Sequence, residues 1–199
     1  MIPESRVDSN PSGRGLHPNI AEYGKVLALQ GDHESALMHY REAMRLAVDE
    51  AAPEAFFRHY LECSMESIEM LGAYEDVIEY CERVDQHYDQ VTPTDELQTR
   101  FISLDRATNF QRMGSNLLKL GRSEEALSAL GQANQLALEN GTNLPLASAL
   151  IGWLQRRLTV DTNRIQAEQR RLGYFAVTHE TVDPKKAVPL PDTLTKLRR

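Results

Sequence analysis

Apolar and small residues recur along this chain at spacings of three and four, the period of one helix face. They do so in three stretches that read alike: "LALQGDHESALMHYREAMRLA" (Leu27 to Ala47), "IEMLGAYEDVIEYCERVDQHY" (Ile68 to Tyr88) and "LLKLGRSEEALSALGQANQLA" (Leu117 to Ala137). In each, an amphipathic run ends on a glycine and a second run follows. Val and Ile are sparse, and no alternating run suggests a strand. Gly31, Gly72 and Gly121 have the placement of a C′ glycine at a tight turn between antiparallel helices. Gly141 marks another stop. Asp32 and Ser123 are expected to cap the helices that follow, as are Thr92 before Pro93 and Asn143 before Pro145. Pro53, Pro93 and Pro145 fit first helical turns. The pattern predicts about seven or eight helices.

The three stretches align without gaps on one scheme. A small residue is followed seven positions later by the glycine, then a small or β-branched residue, a bulky one and another small or branched one. These are Gly24, Gly31, Ala36, Tyr40 and Ala43; Met65, Gly72, Val77, Cys81 and Val84; and Gly114, Gly121, Ala126, Leu130 and Ala133. The spacing has a physical reason. Two helices approach closely only where side chains are small, and the bulky residue fills the space beside them. At these residues the chain resembles the tetratricopeptide repeat (TPR) family over about residues 18–140. The first unit matches its signature well, the third has Leu130 in place of the aromatic, and the second has Met65 in place of the small residue. The closing proline of the motif is absent. The glycines are 41 and then 49 residues apart, against a family pitch of about 34. The resemblance therefore implies an all-α, irregular TPR-like array of antiparallel helix pairs, an α-solenoid, with a long first helix in the third unit, from near Thr94 to Leu120.

Three regions follow. Residues 1–17, with Pro3, Pro11, Gly13 and Gly15, read as a flexible arm. Residues 18–172 form the repeat domain. Residues 173–199, with Pro184, Pro189 and Pro191, read as a tail. "NLPLASALIGWLQRRL" reads as the first helix of a fourth pair, with Trp153 packing that pair. The polar "DTNRIQAEQRR" reads as its terminal cap, with nothing stacked beyond it. Both ends, residues 1–15 and 180–199, are expected to be dispensable for folding. Should the tail dock, Leu190, Leu194 and Leu197 are its anchors, with the groove as their place.

Composition narrows the function classes. The 199 residues carry a formal charge of −7, which argues against broad nucleic-acid or anionic-membrane binding. No stretch approaches the roughly 18 apolar residues of a membrane span, and the start has no apolar core of a secretory signal. Cys63 and Cys81 are too few for a disulfide framework, so a reducing, cytoplasmic location is expected. There is no GxxxxGK[ST], GxSxG, HExxH or EF-hand loop. His59 and Cys63 are spaced i, i+4, but two ligands do not make a metal site. No catalytic residue, metal or cofactor is predicted, and the chain is not expected to be an enzyme.

What remains is surface. In the family resembled, the first helices of the pairs line a concave groove. Carried over position by position, the groove residues are Ala21, Glu22 and Lys25; Glu62, Cys63, Glu66 and Glu69; and Gln111, Arg112, Ser115 and Lys119. Only Arg112 matches the family's carboxylate clamp, which disfavours a binder of chaperone tails. The expectation is a non-enzymatic adaptor or scaffold that holds a protein or peptide segment in this groove. Two rivals stand beside it: a dedicated chaperone resembling those of type III secretion, and a structural subunit of a larger complex. Glu62, Glu66 and Glu69 share one helix face. The stripe selects a basic ligand, or it is a solvated face offset by Arg58, with Arg112 and Lys119 supplying an intramolecular balance.

Overall fold

The computed structural model describes residues 15–190. Among these residues it is all-helical, with no strand: α1 (His17–Leu29), α2 (His33–Asp49), α3 (Glu54–Met70), α4 (Tyr74–Gln90), α5 (Glu96–Lys119), α6 (Ser123–Glu139), α7 (Pro145–Gln155) and α8 (Thr162–Arg171). Residues 1–14, with most of the expected arm, and Leu194 and Leu197 of the tail lie outside the described residues. The expected arm, residues 1–17, overlaps α1 by one residue, because the helix begins at His17. That side chain is buried and its Nδ1 lies 2.8 Å from the Tyr60 hydroxyl.

The turns form as the sequence implies. Gly31, Gly72 and Gly121 adopt φ of +85°, +81° and +78°, the left-handed region in which a Cβ is penalised. At the first turn Asp32 N–H donates to Leu27 O and Gly31 N–H to Ala28 O, both at 3.0 Å. This paired closure satisfies two carbonyls that would otherwise be left without partners at the helix end. The N-caps are only partly as expected. The Asp32 carboxylate accepts from Ser35 N–H at 3.1 Å, but Ser123 is the first helical residue of α6 and caps nothing. The cap of α5 is Asp95, not Thr92. Leu144, not Asn143, precedes α7, and Asp161 caps α8. Asp95 has the extended backbone and a carboxylate in reach of the Gln98 amide that a cap requires, whereas Arg122 and Leu144 hold the cap positions of α6 and α7 without a side-chain bond.

The described residues divide into two compact units, residues 15–64 with 177–190, and residues 65–176. In the first unit α1 lies against α2, and Ala36, Tyr40 and Ala43 are fully buried. A Cβ on Gly24 would sit 2.7 Å from Tyr40 Cε1, so only glycine lets the two helices meet there. Ile20, Ala21, Ala28, Ala47, Tyr60 and Cys63 complete this core, together with Val177 and Leu190 from the far end of the chain.

The second unit repeats the device. α5 lies against α6, and Ala126, Leu130 and Ala133 are fully buried. A Cβ on Gly114 would meet Leu130 Cγ at 2.6 Å. The long α5 absorbs the extra repeat length: Arg106 reaches Asp85 at 2.7 Å and Asp89 at 3.0 Å on α4. Trp153 packs at the margin of this core with the Arg164 guanidinium over its ring at 4.6 Å, so it joins α7 to α8. α8 packs on α5 as well as α7 and buries Ile165 and Gln169 completely. Its polar face hid one buried amide, which an apolar-periodicity argument cannot see.

Candidate functional site

Ala21, Glu22 and Lys25 project from α1 in the first unit, and Glu62 and Cys63 belong to α3. Ala21 and Cys63 are core residues, 1% and 0% exposed. The Lys25 ammonium pairs with the Glu22 carboxylate at 3.1 Å, both side chains largely shielded. Glu22, Lys25 and Glu62 converge electrostatically on His59, whose imidazole is held below its ordinary range, first by burial and then by the Lys25 charge. Its Nε2 is 3.9 Å from Cys63 Sγ. Among the described residues no group of three or more His, Cys, Asp or Glu side chains is placed to hold a metal.

Residues 177–190 lie along this α1 and α2 face. Asp183 N–H donates to the Glu22 carboxylate. The Asn19 side chain donates to Lys186 O at 2.7 Å, and Asn19 O accepts from Val188 N–H at 3.0 Å. Leu190 is 9% exposed, and its N–H donates to His39 Nε2 at 3.2 Å. Val177 and Val182 pack on the same core. Leu190 is thus the anchor that the sequence suggested. Residues 180–190 are therefore docked rather than a free tail, with Val182 and Leu190 packed on a core.

His39, missed at the sequence level, is the hinge of this arrangement. Ser35 O can only accept, so the proton sits on Nδ1, 2.7 Å away. Nε2 is thereby left as the acceptor for Leu190. The ring stacks on Tyr23 at 5.0 Å. Burial holds His39 below its ordinary range; its bond to Ser35 O and the Asp32 charge pull the other way. His33 and His59 are also lowered by burial. All three therefore bind protons more weakly folded than unfolded. Their contribution to stability is complete above the unfolded value of 6.5 and is lost as the pH falls through and below it. The urea midpoint is expected to drop between pH 7.5 and pH 5, and His39→Gln to flatten part of that slope. A midpoint that is level or rises on acidification contradicts this assignment.

In the second unit the expected groove residues face the chain's own C-terminal elements. Glu69 is fully buried, with a partner on every side. The Lys119 ammonium pairs with Oε1 with neither side chain exposed, the Gln169 amide donates to Oε1 at 2.6 Å, and the Tyr174 hydroxyl donates to Oε2 at 2.9 Å. The same ammonium lies 5.3 Å from the Tyr74 ring centre. Burial lowers Lys119 from its ordinary range, with the Glu69 carboxylate opposing; burial and that same carboxylate raise the Tyr174 phenol. Glu66 accepts from Ala176 N–H at 2.9 Å. Gln111 accepts from Ala147 N–H at 3.2 Å and so fixes the start of α7. Ser115 donates to Arg112 O at 2.9 Å, and Arg112 and Ser115 both act on the Tyr174 hydroxyl.

The glutamate stripe is thus graded. Glu62 is exposed, Glu66 half-buried, and Glu69 enclosed and neutralised by Lys119. The intramolecular balance holds for Glu69. Asn19 was not legible as a site residue because it acts on a segment without periodicity, and Tyr174 because it lies in one. No helix among the described residues is long and apolar enough to cross a membrane. No protein-family model, curated protein or solved structure matches the chain.

Proposed function

We propose that the chain is a non-catalytic protein-binding module, a TPR-like array whose α1 and α2 face holds an extended segment of a partner protein. The observation that carries this reading is the way residues 177–190 are held. Asn19, Glu22 and His39 take backbone groups of an irregular stretch, and apolar side chains fill the space between them. A face with this chemistry recognises extended backbone, the mode in which main-chain hydrogen bonds supply affinity and side-chain pockets supply selection. Glu62, exposed beside Glu22 and Lys25, adds a preference for basic residues at the rim.

The test is affinity capture with the 199-residue chain, identifying bound proteins by mass spectrometry at low and moderate salt. Because Glu62 is exposed, reversing its charge leaves the fold intact. The captured partner is expected to fall several-fold with Glu62→Lys, most at low salt, while the helical circular dichroism stays the same. Equal recovery by both proteins at both salt concentrations removes this face as the binding surface.

A further inference from the structure

Resting on that reading, we infer that residues 177–190 are a displaceable resident of the α1 and α2 face, and that the site exchanges them for an extended segment of the same chemistry. The required chemistry is written in the resident. It presents N–H groups at 183, 188 and 190 and a carbonyl at 186. It carries aliphatic anchors at Val182 and Leu190, eight positions apart, with Pro184 and Pro189 between them. Pro184 sits in the turn closed by Lys186 N–H on Asp183 O, which its fixed φ suits, and Pro189 lies in the irregular stretch before Leu190; each gives up only an N–H that the site does not use.

Two features make the resident exchangeable where a helix would not be, and a third sets the barrier to exchange. Its internal bonds are local turns only, Thr181 N–H to Thr178 O at 3.1 Å and Lys186 N–H to Asp183 O at 3.0 Å, so it leaves without unwinding an element. Its holding groups are a carboxylate, an asparagine and an imidazole that contact main chain, so they are indifferent to the identity of most side chains. The covalent tether raises its local concentration, which a free segment must overcome, so the intact chain is self-blocked. The partner is therefore a proline-containing, extended segment with two aliphatic anchors and basic flanking residues.

The probe is a fluorescein-labelled peptide with the sequence of residues 177–190, read by fluorescence anisotropy against the full chain. Wild-type protein is expected to bind it weakly. The full-length double variant Val182→Ser/Leu190→Ser, which loses its own anchors, is expected to bind at least tenfold more tightly. A peptide with serine at both anchor positions is expected not to bind. A folded double variant that binds no tighter than wild type overturns the proposal.

If the double variant loses its cooperative transition, residues 177–190 belong to the core permanently, which also overturns it. A measurement on wild type avoids that variant altogether. Excess unlabelled peptide should accelerate hydrogen exchange at the Val188 and Leu190 amides severalfold, and unchanged exchange at saturating peptide refutes displacement. A cellular partner captured by a chain that ignores the peptide leaves protein binding standing and places it on another surface.

Discussion

Changing Glu69 to Ala is expected to lower the unfolding free energy by about 3–5 kcal/mol, the cost of leaving a buried charge without its partner. The charge is the Lys119 ammonium, whose side chain has no solvent exposure. The same change removes the acceptor for Gln169 and for the Tyr174 hydroxyl, so α8 and the chain after it lose their polar hold on α3. Lys119→Met alone should be nearly as damaging, because the carboxylate is then the stranded charge. The double variant Glu69→Leu/Lys119→Met should recover the part of the loss that comes from the stranded charge, while the Gln169 amide and the Tyr174 hydroxyl still lack their acceptor. Urea unfolding with the slope checked for constancy reads all three. A single-variant loss below about 1 kcal/mol would mean that the pair is solvated.

Gly114→Ala is the second change with a large expected effect. The added methyl meets Leu130 Cγ at 2.6 Å and the Ala126 carbonyl oxygen at 3.2 Å. The first neighbour is the branch point of a fully buried side chain and the second is backbone, so neither yields easily. Overpacking here should cost about 1–3 kcal/mol. Leu130→Ala alone should cost about 2–5 kcal/mol through the cavity it leaves. The two together should cost less than their sum, because the new methyl enters the vacated space. Strict additivity in thermal or urea unfolding would show that Gly114 and Leu130 do not face each other and that the repeat alignment is misplaced.

That alignment was legible because close approach imposes sequence. Gly24 opposite Tyr40 and Gly114 opposite Leu130 are positions where only one residue type fits, and the pattern recurs. The turn glycines were legible for the same reason, since positive φ selects them. The helix caps were less so: Asp95 and Asp161 compete with any nearby Ser, Thr or Asn, and only backbone geometry decides. The residues expected to line a groove lie on α1, α3 and α5, but Glu22, Glu66 and Glu69 are engaged by the chain's own residues, which the sequence did not show. Periodicity describes helix faces and says nothing of an irregular stretch such as residues 177–190, whose contacts are backbone groups that any sequence possesses. Gln169 escaped for a related reason: a buried amide that donates to Glu69 looks, in a string of letters, like one more polar surface residue.

The most direct test of the account is amide hydrogen exchange by NMR in the wild-type chain at neutral pH. The Asp183, Val188 and Leu190 amides donate to Glu22, Asn19 and His39, so they are expected to exchange far more slowly than in a free peptide of the same sequence. Exchange of all three at the free-peptide rate would mean that the segment does not lie on the α1 and α2 face, and would contradict both the resident occupant and the binding chemistry read from it.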